Sequence, residues 1–190
     1  MNLEPSSTAL VLIDLQHSNV ARELAPHTAQ QVVANGARLA DAMRRSGGTV
    51  IYVRVLVNEL LRLPADVSLA RDPAAPPPPP QASELVEQAG CQAGDIVIAK
   101  RQWGAFHGTE LDQQLRRRGI RTLIMGGIAT NFGVESTARA AFDRGYALVF
   151  AHDAMSSLKA EMHQFAMQNI FPFIGHVRGT DELETMLLKR

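Results

Sequence analysis

Short, nearly unbroken apolar runs recur along this chain, at residues 9–14 (ALVLID), 49–56 (TVIYVRVL), 95–100 (DIVIAK), 122–128 (TLIMGGI) and 147–151 (ALVFA), with a weaker one at 176–178. Most of the segments between them carry apolar residues at helical spacing, such as Val32, Val33, Leu39, Ala40 and Met43, or Leu111 and Leu115 before the Arg116 to Arg118 turn closed by Gly119. Strands without polar alternation must be buried on both faces, and strands joined by helical crossovers run parallel. The pattern predicts an α/β fold: a single domain over residues 1–190, doubly wound, with a mainly parallel six-stranded sheet and helices on both faces. No internal repeat is visible.

Composition agrees with that reading and narrows the partners. Of 190 residues, 46% are hydrophobic and 20% charged, which is ordinary for a globular chain and excludes a disordered one. A chain of this length buries roughly 70% of the surface that its unfolded form exposes, so it needs no disulfide or structural metal to hold a core. The 19 Lys and Arg balance the 19 Asp and Glu, so the excess cation on which nucleic-acid or anionic-membrane binding rests is missing. The expected partner is a small molecule or another protein. The single cysteine, Cys91, has no internal disulfide partner, no apolar run approaches the ~18 residues of a membrane span, and the N-terminal residues lack signal-peptide order. Together these predict a cytoplasmic location.

One segment interrupts the alternation. Residues 62–82 carry Pro64, Pro73 and the run 76–80, which neither donates sheet hydrogen bonds nor continues a helix. It is expected to be a surface loop, serving as a spacer, a polyproline flap beside the site or a ligand for an aromatic groove.

Open parallel sheets place ligands at the carboxyl ends of their strands. Three features meet there: Asp14 at the end of the first strand, Lys100 at the end of the third, and the loop from Gly126 to Gly133 after the fourth. Apolar walls raise the pKa of Asp14 and a nearby ammonium lowers it, so the pair is suited to general acid or base work. Equally, Asp14 has a structural reading as a turn cap or an ion-pair partner, and Lys100 as a solvated lysine at a loop start. The Gly-bearing turn offers unpaired N–H groups to an anion or oxyanion. It lacks the Gly-Lys-Ser/Thr ending of a phosphate loop and the GxGxxG spacing of a dinucleotide site, which argues against nucleotide binding.

The blocks ALVLIDLQ with Asp14, AKRQWGAFHGTELDQQLRRRGI with Lys100, and LIMGGIATNFGVESTARAAFDRGY followed by HDAMSS resemble, in that order, the isochorismatase-like (cysteine hydrolase) superfamily. In its cysteine-hydrolase branch an Asp and a Lys at these places serve a nucleophilic Cys after the fourth strand, and here that place is held by Gly133. Glycine cannot attack a carbonyl, so a thioester route is not expected. Cys91 precedes the third strand, at the opposite edge of the sheet. Thr130, Ser136 and Thr137 are alternative hydroxyls nearby, but no His base accompanies them. The metal-binding Asp and His cluster of nicotinamidases has no match around residues 55–61, so neither a metal nor another cofactor is expected.

Isochorismatases also lack the Cys. On that template Asp14 donates a proton to a vinyl ether, Lys100 tunes it or holds a substrate carboxylate, and the catalytic set is Asp14, Lys100 and Gly133. The resemblance further implies a non-proline cis peptide at Ile128–Ala129, turning the Ala129 N–H toward the pocket of the Gly133 N–H. The expected substrate-binding set is Ala129, Thr130, Asn131 and Phe132 with Trp103 and Phe106, although Trp103, Phe106 and Phe132 also read as core aromatics. The whole reads as a small-molecule hydrolase without a cysteine nucleophile, acting on a carboxylate-bearing substrate that the sequence does not name. The alternatives are a catalytically silent anion-binding or regulatory protein and a nucleotide-binding module. The resemblance also implies a homo-oligomer, dimer or tetramer, for which the small-residue segment 134–142 is a candidate interface.

Overall fold

All six predicted strands form one sheet of order β3-β2-β1-β4-β5-β6, and every neighbouring pair is parallel. The structure, a computed structural model, describes residues 3–60, 63–67 and 74–189. Its strands are β1 (Thr8–Ile13), β2 (Thr49–Val55), β3 (Ile96–Lys100), β4 (Thr122–Ile128), β5 (Ala147–Ser156) and β6 (His176–Arg178). Its α-helices are α1 (His17–Val20), α2 (Ala29–Arg45), α3 (Leu111–Arg116), α4 (Glu135–Asp143), α5 (Ala160–Asn169), α6 (Phe171–Ile174) and α7 (Thr180–Leu188).

Period-two alternation divides the strand side chains between two cores. Ala9, Val11, Ile13, Ile51, Val53, Leu123 and Met125 face one, with Leu111 and Leu115 of α3, Ala138 and Ala141 of α4 and Ala166 of α5. Leu10, Leu12, Val50, Tyr52 and Ile124 face the other, with Leu183 and Leu187 of α7 and the predicted α2 stripe of Val32, Val33, Leu39, Ala40 and Met43. The helix α2 starts at a reciprocal cap, in which Thr28 Oγ1 accepts from the Gln31 N–H and Gln31 Oε1 accepts from the Thr28 N–H. Truncating a core leucine such as Leu39 costs about 2–5 kcal/mol, through lost transfer energy and the cavity left behind.

Two local features depart from the sequence reading. The fifth strand runs beyond residue 151 to Ser156, because pairing with β4 shifts at Met125/Gly127 and resumes at Gly127 with Met155. Residues 151–154 lie between the two paired stretches without a β4 partner, which accommodates the polar interruption HDA in an otherwise apolar strand. Gly126 and Gly127 belong to β4, as the apolar run 122–128 predicts, and not to a loop running from Gly126 to Gly133. A Cβ on Gly127, whose φ is +119°, would stand 2.1 Å from the Ile13 carbonyl oxygen, and one on Gly126 would stand 2.9 Å from that of Ala154. These two glycines therefore serve close backbone approach, not anion binding.

The sheet order reverses direction between β1 and β4, a switch point at which the carboxyl ends of β1, β2, β3 and β4 border one crevice. In the proline-rich segment, Pro73 and residues 68–72 lie outside the described residues. The proline run is exposed for the most part, and a short 3-10 turn at Pro80–Ser83 docks it back onto the crevice rim. No helix among the described residues is long and apolar enough to cross a membrane.

Candidate active site

Asp14 follows β1 directly, buried at 5% exposure, with a left-handed backbone φ of 54°. Aspartate tolerates that conformation better than most residues, and the Asn19 Nδ2 donates to the Asp14 carbonyl at 3.2 Å to brace the turn. Next along, Gln16 closes the strand ends together. Its amide donates to the carbonyls of Val55 and Ala82, both at 3.0 Å, and its Oε1 accepts the Val55 N–H at 2.8 Å. This glutamine fixes the ends of β1 and β2 and the return of the proline-rich loop in one network.

Lys100 ends β3 and is 1% exposed. Its Nζ donates to Asp14 Oδ2 at 2.8 Å and to the Trp103 carbonyl at 2.7 Å. Burial pushes the Asp14 carboxyl up to about 6, and the Lys100 charge and hydrogen bond, with a smaller contribution from the Val55 amide, pull against that rise. The remaining oxygen, Asp14 Oδ1, is buried without a hydrogen-bond partner among the described residues, a condition shared there only with Arg54 Nε. An unpartnered carboxyl oxygen with a titration point near neutrality is suited to exchange a proton with a bound molecule.

Gly133 completes this constellation. It lies in a π-type turn, Thr130–Val134, that leads into α4, and such widened turns occur often at functional sites. A Cβ built on Gly133 would stand 3.2 Å from Asp14 Oδ2 and 3.3 Å from Lys100 Nζ, so position 133 points between the two charged groups. Thr137 secures the turn, donating to the Gly133 carbonyl at 2.7 Å and accepting the Ala105 N–H at 3.1 Å. The Ile128–Ala129 peptide just before it is cis.

A cavity of about 140 Å³ opens over these groups. Of the residues expected there, Asp14, Lys100, Gly133, Ala129, Phe132 and Trp103 line it, and the Trp103 ring meets Phe132 edge-on at 4.9 Å. Thr130, Asn131 and Phe106 do not. Thr130 is fully buried, with Oγ1 2.8 Å from Nδ1 of His163. The Asn131 side chain accepts from the Ser157 hydroxyl. Phe106 packs 6.0 Å from Tyr146 and under the Arg144 guanidinium, so it is a core aromatic on the far side of its loop.

Sequence reasoning missed Ser18, Asn19 and Arg22, which reach the cavity from α1 and the turn after it, together with Gln102 and Leu158. The block DLQHSNVAR carried the only signal, a run of polar residues straight after a strand end. Cys91 is exposed in the loop before β3, at the amino end of the strand and away from the cavity. Among the described residues no group of three or more His, Cys, Asp or Glu side chains is arranged to hold a metal ion. Among the described residues Asp14 is the one carboxylate on the cavity wall and no histidine lines it, so these residues do not fit a metal centre.

A parallel sheet with a buried carboxyl and ammonium under a cavity at its switch point defines an α/β protein with a small-molecule site, and sequence comparison specifies the family. Residues 8–182 match the isochorismatase domain, and the chain belongs to that family of hydrolases. It is 43% identical over 190 residues to the uncharacterized isochorismatase family protein YwoC of Bacillus subtilis strain 168, covering 96% of this chain and 95% of the relative. It is 44% identical over 191 residues to the like-described YecD of Escherichia coli O157:H7, covering 96% and 97%. A solved isochorismatase family protein from Burkholderia thailandensis superposes with a TM-score of 0.91 at 40% identity, over 99% of this chain and 98% of that one. A shorter match, 40% identical over 104 residues, links 54% of this chain to 40% of the ureidoacrylate amidohydrolase RutB of Methylobacterium radiotolerans.

Proposed function

We propose that this protein is a small-molecule hydrolase that works without a cysteine nucleophile, with Asp14 as its general acid. The observation that carries this reading is the buried carboxyl of Asp14, held by Lys100 at 2.8 Å, its second oxygen unpartnered and its pKa raised to about 6. Such a group keeps a useful protonated fraction near neutral pH and gives its proton up at little cost. Among the described residues no Cys, and no Ser or Thr paired with a base, lines the cavity, so covalent acyl transfer has no side chain there to begin it.

The chemistry that fits is protonation followed by attack of water. With a vinyl ether such as isochorismate, Asp14 delivers its proton to the terminal vinyl carbon, and water adds to the oxocarbenium ion so formed. The resulting hemiketal collapses to pyruvate and an alcohol, returning a proton to the site. Lys100 favours the carboxylate that remains once the proton has left, and the N–H groups of Ala129 and Gly133 are the donors we assign to developing negative charge. The amide hydrolysis in the name of RutB is the competing chemistry, and it asks for a nucleophile that this cavity lacks.

Pyruvate release from isochorismate by the wild-type protein, run beside folded Asp14→Asn, tests the reading. Release that falls at least ~100-fold in the variant supports it, because an amide cannot supply the proton. Its pH profile should stay level below about 6 and decline above, as an acid with this titration point requires. Release that survives the substitution refutes the role of Asp14, and no release from either protein removes isochorismate as the substrate.

A further inference from the structure

Of the two cations among the described residues that line the cavity, one is neutralised and one is not. Lys100 is spent on Asp14 and on the Trp103 carbonyl. Arg54 at the end of β2 pairs with Glu84, and Arg101 after β3 pairs with Glu59. Arg22 lies on the cavity wall with Nε donating to the Ser18 carbonyl at 3.3 Å, and among the described residues its two terminal nitrogens have neither a hydrogen bond nor an ion pair. The tether to Ser18 holds the side chain along α1 while leaving the outer edge of the guanidinium free. Since Asp14 offsets Lys100, Arg22 supplies the uncompensated charge among the described lining residues.

Among the described residues the rest of the wall is mostly apolar, formed chiefly by Val57, Leu60, Phe132, Leu158 and Trp103, with the neutral polar side chains of Ser18, Asn19 and Gln102 beside them. A small volume, one planar cation and an apolar lining describe a specific kind of ligand. We propose that Arg22 is the specificity-determining residue of this site, binding the carboxylate of a small organic acid whose apolar body lies against Trp103 and Phe132 within reach of Asp14. The proposal rests on reading this cavity as the substrate site. A guanidinium edge matches the two oxygens of a carboxylate in a bidentate pair, whereas a phosphate dianion would call for a second unpaired cation, and the other cation among the described lining residues, Lys100, is paired with Asp14. The role of carboxylate anchor, expected of Lys100, passes to Arg22 because the lysine lies too deep and is already paired.

Trp103 is the sole tryptophan of the chain and lines the cavity, so its fluorescence responds to occupancy of this site. The experiment titrates wild type, Arg22→Gln, Arg22→Lys and Asp14→Asn with benzoate, propionate and neutral benzamide at constant ionic strength. Arg22 is exposed, so its replacement leaves the core intact. We expect saturable carboxylate binding that weakens about tenfold or more in Arg22→Gln, as loss of a charge-assisted pair implies, with Arg22→Lys intermediate. Benzamide should be indifferent to Arg22→Gln, and Asp14→Asn should bind benzoate at least as well as wild type, since a neighbouring anion is removed. Equal carboxylate affinity in wild type and Arg22→Gln overturns the proposal, and so does the absence of a saturable response to both benzoate and propionate in wild type. Turnover surviving in Asp14→Asn would instead refute the catalytic reading and leave the binding result standing.

Discussion

The absence of a side chain at position 133 decides how closely a bound molecule can approach Asp14. A methyl group there would contact Ile13 Cγ2 at 3.0 Å and both members of the Asp14–Lys100 pair within 3.3 Å, so the neighbours would have to yield by a few tenths of an ångström. Gly133→Ala is therefore expected to cost about 1–2 kcal/mol of stability by overpacking, which urea titration measures. Any Asp14-dependent turnover should fall at least ~10-fold, because displacement at a reacting centre by fractions of an ångström is penalised more heavily than in the core. A variant with full turnover would mean that the space beside the pair is not used. Arg22 belongs to the same scale: one exposed guanidinium, in a turn with no periodicity to mark it, supplies the uncompensated charge among the described lining residues.

At the level of elements, α5 is coupled to the π-type turn through a buried polar contact. His163 on α5 reaches Thr130 Oγ1 at 2.8 Å and meets the His27 ring edge-on at 5.6 Å. Burial first, then the neighbouring imidazoles His27 and His152, push the His163 pKa down to about 4, so folding favours its neutral form. The sign follows directly: this contribution to stability is full above the ordinary value of 6.5 and is lost as pH falls through about 4. Asp14 runs the other way, its contribution full below 3.8 and lost as pH rises through about 6. Thermal melts should thus show His163→Asn losing part of the acid sensitivity of the wild type between neutral pH and about 4, with Asp14→Asn unable to do so. Identical acid profiles for wild type and His163→Asn would contradict the assignment. Elements of this kind were unevenly legible in the sequence. The six strands and the α2 stripe could be read because burial on both faces of a sheet imposes an apolar run, and helix packing imposes a period. The β5 bulge, the close backbone contacts of Gly126 and Gly127 and the side-chain network of Gln16 could not, since each depends on the approach of segments distant along the chain. Phe106, Thr130 and Asn131 stood beside genuine lining residues in sequence, yet their side chains turn toward the core or neighbouring loops, and no local pattern announces that direction.

For the molecule as a whole, the sheet order brings Asp14, Lys100 and Gly133 from three strand ends to one point, and no single block of sequence contains the site. Assembly of copies is a separate matter. The helix α4 buries Thr137, Ala138 and Ala141 against its own sheet, so the small-residue segment is largely consumed within the chain, while Phe142, Phe165 and Phe173 remain exposed. Light scattering on the purified protein is expected to give the mass of two or four chains, and Phe142→Asp to lower it if that end of α4 lies in the interface. The mass of one chain would refute the oligomer. The central claim concerns Asp14 and is open to measurement without any substrate. A carbon-13 NMR titration of the aspartate carboxyls, with Asp14→Asn used to assign the resonance, should give Asp14 a midpoint of about 6. A midpoint near 3.8, the ordinary aspartate value, would contradict the account, because a carboxyl ionised throughout the neutral range cannot serve as its acid.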